Sequence, residues 1–202
     1  MKRRRLMLGA ALGLSVARCS VLPSQPYVEL REWPLSVARP ATLPPRAQGK
    51  TLLVRTMQAA PGLDGRGLRV LQADGSVRSE FYERWAVQPA EGVTDNLRRW
   101  LAASGLFAAV LAPGSVAPSD VVLEGELTAL HVDLAHNTAT AALVVVLIDQ
   151  HPNPVRVLLQ KTERATVALT TTDTPGLVHA QIAALEEVLR ATEADVAAAV
   201  RA

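Results

Sequence analysis

The chain has 202 residues, 49% of them hydrophobic and only 3% aromatic, which is enough small aliphatic material for one globular core and argues against disorder. The formal charge of +2 comes from the N-terminus: Lys2, Arg3, Arg4, Arg5 and Arg18 lie in the first eighteen residues, which hold no acid, and the remaining 16 basic side chains face 19 acidic ones, a formal −3. A domain with that balance has no electrostatic basis for binding nucleic acid, and its single cysteine, Cys19, excludes an internal disulfide and a Cys-x-x-Cys metal site.

Met1–Ala17 begins with Lys-Arg-Arg-Arg and continues as an apolar run of about a dozen residues, the form of a secretory signal and too short to span a bilayer. The chain is therefore expected to be exported. Ser15-Val16-Ala17 offers a small-x-small cleavage site that would release a soluble chain from Arg18. The adjacent arginines near the start could also serve twin-arginine export, but the other residues of that signal are missing. Ser20–Gly49 carries Pro23, Pro26, Pro34, Pro40, Pro44 and Pro45, a density that favours an extended, semi-rigid connector. Within it Tyr27–Trp33 (YVELREW) can alternatively pack as an edge strand.

Lys50–Met57 reads as a strand, followed by a loop with Gly62, Gly65 and Gly67. No Lys-Ser or Lys-Thr pair follows those glycines, so they shape a loop and do not cradle phosphate. Leu68–Gln72 and Val77–Val87 flank the turn dipeptide Asp74-Gly75. Pro89 suits the first turn of a helix running to Ser104, with Val93, Leu97, Trp100 and Leu101 on one face and Gly105 at its left-handed C-cap. Phe107–Leu111 is a short strand running back under that helix.

Val121–Leu134 places Val121, Leu123, Gly125 and Leu127 on one parity, then Leu130, Val132 and Leu134 on the other, which predicts a bulge near Thr128-Ala129. Thr138–Asp149 is nearly all apolar and reads as a central strand covered on both faces. Val155–Leu169 completes a meander, with turns at residues 135–137 and 150–154. From Pro175 to Arg201 a last helix carries Val178, Ile182, Leu185, Leu189, Val196 and Val200 along one face. The expected fold is α/β in the α+β sense: one two-layer domain, a mixed or antiparallel sheet with two helices on one face.

Enzyme signatures are missing: there is no nucleophile elbow, no cysteine–histidine pair and no Walker motif, so no catalytic residue is assigned. His131, Asp133 and His136 have metal-ligand chemistry, but a fourth ligand is not evident, and they read as residues of a strand end. Glu83-Arg84-Trp85 reads first as an amphipathic strand with Trp85 buried. Its functional alternative is an interface built on Arg84 and Trp85, residue types that concentrate binding energy when exposed.

Phe81-Tyr82-Glu83-Arg84-Trp85, Pro89-Ala90-Glu91, Leu101–Val110 (LAASGLFAAV) and Leu123-Glu124-Gly125 resemble the ABC-type transport auxiliary lipoprotein family, which includes the paraquat-inducible protein C group. The likeness runs from Lys50 to the C-terminus. It implies residues 1–18 as signal peptide, an acylated Cys19 with a proline-rich extension over 19–49, and the auxiliary domain over 50–202. Arg18 departs from the small residue that lipoprotein signals place before the cysteine, so cleavage after Ala17 stays open beside it. The resemblance also implies a fold similar to the N-terminal domain of the TolB translocation protein and a non-catalytic role without cofactor. That role would lie beside mammalian-cell-entry-domain subunits and a separate ATPase, moving lipid across the envelope of a diderm bacterium. Ser20, in place of the aspartate that favours inner-membrane retention in some bacteria, points to the outer membrane. A lipid held in a groove between helix and sheet is the other reading, and an exposed sheet edge would allow a homo-oligomer.

Overall fold

A computed structural model describes residues 27–151 and 154–201. Its elements, in order, are β1 (Arg31–Trp33), β2 (Thr51–Val54), β3 (Gln58–Ala59), β4 (Gly67–Leu71), β5 (Val77–Trp85), α1 (Pro89–Ala102), β6 (Ala109–Leu111), β7 (Val121–Asp133), β8 (Thr138–Asp149), β9 (Arg156–Ala168) and α2 (Thr174–Ala199). They form one open mixed sheet with both helices on one face, the α+β arrangement expected from the residue pattern.

The spine of the sheet is β7. One of its edges zips antiparallel to β8 along its whole length, and β8 zips in turn to β9. The other edge is shared in succession by three short parallel strands: β2 opposite Val121–Leu123, β3 opposite Glu126 and Leu127, and β4 opposite Val132 and Asp133. From there the sheet extends through β2 to β6 and through β4 to β5 and β1. The predicted bulge is present, as the register of β7 on β8 shifts between Leu127 and Ala129. It returns Leu130 and Val132 to the core face used by Val121, Leu123 and Leu127.

The helices meet this face with the predicted side chains. Val93, Leu97, Trp100 and Leu101 of α1 and Val178, Leu185, Leu189 and Val196 of α2 are buried against Leu52, Val54, Leu123, Leu143, Val145 and Leu147. Pro89 opens α1 without a side-chain cap, whereas the Asp173 carboxylate accepts the Gly176 N–H at the start of α2. α1 is capped by Ala103 in a right-handed conformation, and the left-handed residue, Gly105 at φ +70°, follows two positions later.

Two expectations are corrected. β8 is not covered on both faces along its length: Ala139, Ala141, Leu143, Val145 and Leu147 point to the helices, while on the opposite face Thr140 and Ala142 are buried and Val144, Val146 and Ile148 stay partly exposed. At the end of the run Ile148 joins a row in register across the helix-free face, formed by Leu111, Leu53, Val122, Ile148 and Val157. The segment before Lys50 is also no free connector along its described length. β1 pairs with β5 as the edge strand read as an alternative, and Leu35 and Val37 are buried in the core.

Candidate functional site

Between β1 and β2 the N-terminal segment runs past both helices, and buried polar groups hold it there. Asn96, on the first helix, is fully buried; its Oδ1 accepts the Val37 N–H at 2.7 Å, and its Nδ2 donates to Leu35 O at 2.8 Å and Gly92 O at 2.7 Å. Two residues further on, Arg39 Nε and Nη2 each donate to the Glu193 carboxylate at 3.0 Å, a fork geometry that fixes orientation. Glu193 also accepts from Trp100 Nε1 at 2.6 Å, so one carboxylate on α2 joins the segment to α1. That carboxylate raises the pKa of Arg39, chiefly through the hydrogen bond. Leu43 N–H and Arg46 N–H then bind Ala103 O and Phe107 O past the end of α1. Met57 is tied similarly, its N–H donating to Thr94 Oγ1 at 2.9 Å while Thr94 donates to Ala90 O. The long-range partners among these were not legible from spacing, because each lies far away in sequence from the helix group it meets.

Arg84 and Trp85 fall on β5 opposite Glu32 and Trp33 of β1. Arg84 Nη2 and Nε donate to Glu32 Oε1 at 2.7 and 3.0 Å, and Arg66 lies 3.4 Å from the same oxygen. The guanidinium is spent on pairing two strands. Trp85 is 1% exposed and belongs to the core, which corrects the interface reading: a side chain with no free surface cannot anchor a partner. The exposed aromatics of this strand are Phe81 and Tyr82, whose rings meet edge to face with centroids 5.0 Å apart. At the neighbouring position, Glu83 accepts from Trp33 Nε1 at 2.6 Å and Arg31 Nη1 at 3.2 Å.

Asp133 and His136 build a turn. Asp133 Oδ1 accepts the Ala135 and His136 N–H groups at 2.9 and 3.1 Å, and Oδ2 lies 2.7 Å from His136 Nδ1. The His136 contact is the main reason the Asp133 carboxyl titrates below its usual range. His131 is half-buried; burial first, then Arg164 and Arg69, hold its pKa below the usual imidazole range. Among the described residues no group of three or more His, Cys, Asp or Glu side chains gathers to hold a metal, and no helix is long and apolar enough to cross a membrane.

These observations define a two-helix, open-sheet α+β domain whose N-terminal segment is strapped over its helices. The crystal structure of a Xanthomonas campestris protein assigned to family DUF330 shares this fold, with a TM-score of 0.72 and 23% identity over 85% of this chain and 97% of that one. A hypothetical protein from Chlamydia trachomatis aligns with a TM-score of 0.53 and 13% identity over 74% of this chain and 99% of that one. No curated protein matches the chain. The chain belongs to the ABC-type transport auxiliary lipoprotein component family, whose model matches residues 33–192. The match begins at Trp33, on the strand that joins the N-terminal segment to the sheet.

Proposed function

We propose that the protein is an exported, lipid-anchored, non-catalytic subunit of an ABC-type lipid transport system of the mammalian-cell-entry type, acting on the periplasmic side of a diderm envelope. The observation that carries this reading is the family match over 33–192, which takes in nearly all of the packed domain. Cys19, behind a basic and apolar leader, supplies the acylation site, and Ser20 favours the outer membrane. Several acyl chains on one cysteine anchor a protein stably where a single chain does not. Because the segment before Lys50 is strapped to the domain, the tether is short and the domain sits close to its membrane.

The role is structural. The polar clusters described above close strand pairs, turns and helix contacts, and ATP hydrolysis falls to another subunit. Capture of the tagged full chain from detergent-solubilised envelopes of its own host tests this. A mammalian-cell-entry-domain subunit is expected to co-purify, and its absence alongside a different transporter's subunits would contradict the assignment.

A second reading, direct lipid binding, draws on the partly or fully exposed apolar side chains Leu111, Leu53, Ile148 and Val157 across the helix-free face. The helix–sheet interface is filled by core side chains, which moves any lipid contact to this opposite face. Native mass spectrometry of the chain released from membranes separates the two readings: retained phospholipid supports the second, and a bare mass supports the scaffold.

A further inference from the structure

The pairing of β4 with β5 slips. Gly67 stands opposite Arg84, yet two residues later Arg69 stands opposite Ser79. Residues 80–83 of β5 therefore face Leu68 alone, and the surplus chain is pushed outward as an enlarged bulge. Gly67 permits this approach, since a Cβ there would collide with Glu80 O and Ser79 Oγ. The bulge presents Phe81, 74% exposed, and Tyr82, 45% exposed. Paired aromatics offered to solvent at a built irregularity mark a contact surface.

The direction of the chain says what the surface meets. β1 runs parallel to β5 with Arg31 opposite Glu83, so the polypeptide arrives at the sheet from the Phe81–Tyr82 end. Its preceding residues add Tyr27, 90% exposed, together with Val28 and Leu30. Seven residues separate Tyr27 from Cys19, a reach of at most about 28 Å of extended chain. The nearby arginines are neutralised in place, Arg31 by Glu83, Arg84 by Glu32 and Arg78 by Glu80. The surface is thus aromatic and close to neutral, the character suited to the headgroup zone of a bilayer, where an apolar ring and a phenol are both satisfied.

We propose that Tyr27, Phe81 and Tyr82 form a bilayer seat. Their rings lie in the interface of the membrane that holds the acyl chains of Cys19 and set the tilt of the domain on it. This inference rests on acylation of Cys19. Anchorage makes the contact intramolecular in effect, so a surface too weak to bind vesicles alone suffices to orient an anchored domain.

The test uses the full chain, expressed in a diderm host and reconstituted into phosphatidylethanolamine–phosphatidylglycerol vesicles containing a brominated phospholipid. Acylation consumes the Cys19 thiol, so Phe81→Cys supplies the one thiol for a bimane probe, and Val116→Cys, in the loop after the far edge strand β6, is the control. Quenching is expected to be several-fold stronger at position 81 than at 116, and to be unchanged by high salt because the local charges are paired. Equal quenching at both positions, with the acylated N-terminus confirmed by mass, overturns the seat while leaving the anchor intact. Position 81 shielded from aqueous iodide but untouched by bromolipid also overturns it, assigning the surface to a protein. An unmodified Cys19 overturns the seat together with the anchoring on which it rests.

Discussion

Asn96 serves Val37 as a strand neighbour would: its side-chain Oδ1 accepts the Val37 N–H at 2.7 Å while its Nδ2 returns a bond to Leu35 O at 2.8 Å. A single buried amide thus satisfies the backbone of a proline-flanked segment that no sheet edge pairs at that point. Asn96→Leu leaves both backbone groups buried and unpartnered, a loss of about 2–4 kcal/mol in unfolding free energy. Denaturant titration measures the loss. Trypsin is expected to cut after Arg46 faster in the variant, as the strap is released.

Gly125 lies on β7 where the partner strand leaves no space. An added Cβ would collide with Val144 O, so Gly125→Ala forces the β7–β8 ladder apart at its centre. The expected loss is about 3 kcal/mol, the upper end for overpacking. Gly65→Ala is the control, with nothing within 4 Å of the added atom, and is expected to melt within a degree or so of the parent. A Gly125→Ala variant as stable as the parent would contradict this close approach of β8 to β7.

Glu163 on β9 is only 8% exposed and its Oε1 has no hydrogen-bond partner; Lys161 Nζ, 3.2 Å away, is spent on Asp195 at 2.6 Å. Burial first, and the neighbouring Asp195 next, push the Glu163 carboxyl above the usual range. A carboxyl raised in the folded state opposes folding once it ionises, so its penalty grows as pH rises from the ordinary carboxylate range through the folded value. Glu163→Gln is expected to raise the melting temperature at pH 7, with the gain vanishing in acid. A lower melting temperature at pH 7 would contradict this.

Asp149 behaves in the opposite sense. Nearly buried at the end of β8, it accepts a 2.9 Å hydrogen bond from Lys50 Nζ and another from the His151 N–H at 3.1 Å, and the Lys50 bond is the main reason its pKa is depressed. Its contribution is present above the unfolded-state carboxylate range and is lost as pH falls through the depressed folded value. Asp149→Asn is expected to lower the melting temperature at pH 7 and to differ little from the parent once the carboxylate is protonated.

What could be read in advance follows a physical division. Periodicity and turn chemistry located both helices, the left-handed Gly105 beyond α1, the Asp74-Gly75 turn and the bulge at Thr128-Ala129, because each is written in consecutive residues. Gly75 has φ +83° in that turn, and the Gln72 N–H reaches Ser76 O across it. The Asn96 clamp was not legible, since a polar residue on a helix gives no sign that its partners lie 59 and 61 residues away. Trp85 and Phe81 share a parity, so alternation treats them alike, yet the helical layer covers one and the slipped register pushes out the other. The β8 run reads as doubly covered along its length because a local pattern cannot show that cover of the second face ends after Ala142.

The central claim is that the chain works from a lipid on Cys19, and the mass of the mature N-terminus after expression in a diderm host tests it most directly. An N-terminal cysteine carrying acyl chains, lost in Cys19→Ala together with membrane association, is the predicted result. A chain beginning at Arg18 with a free thiol, recovered in the soluble periplasmic fraction, would contradict the account.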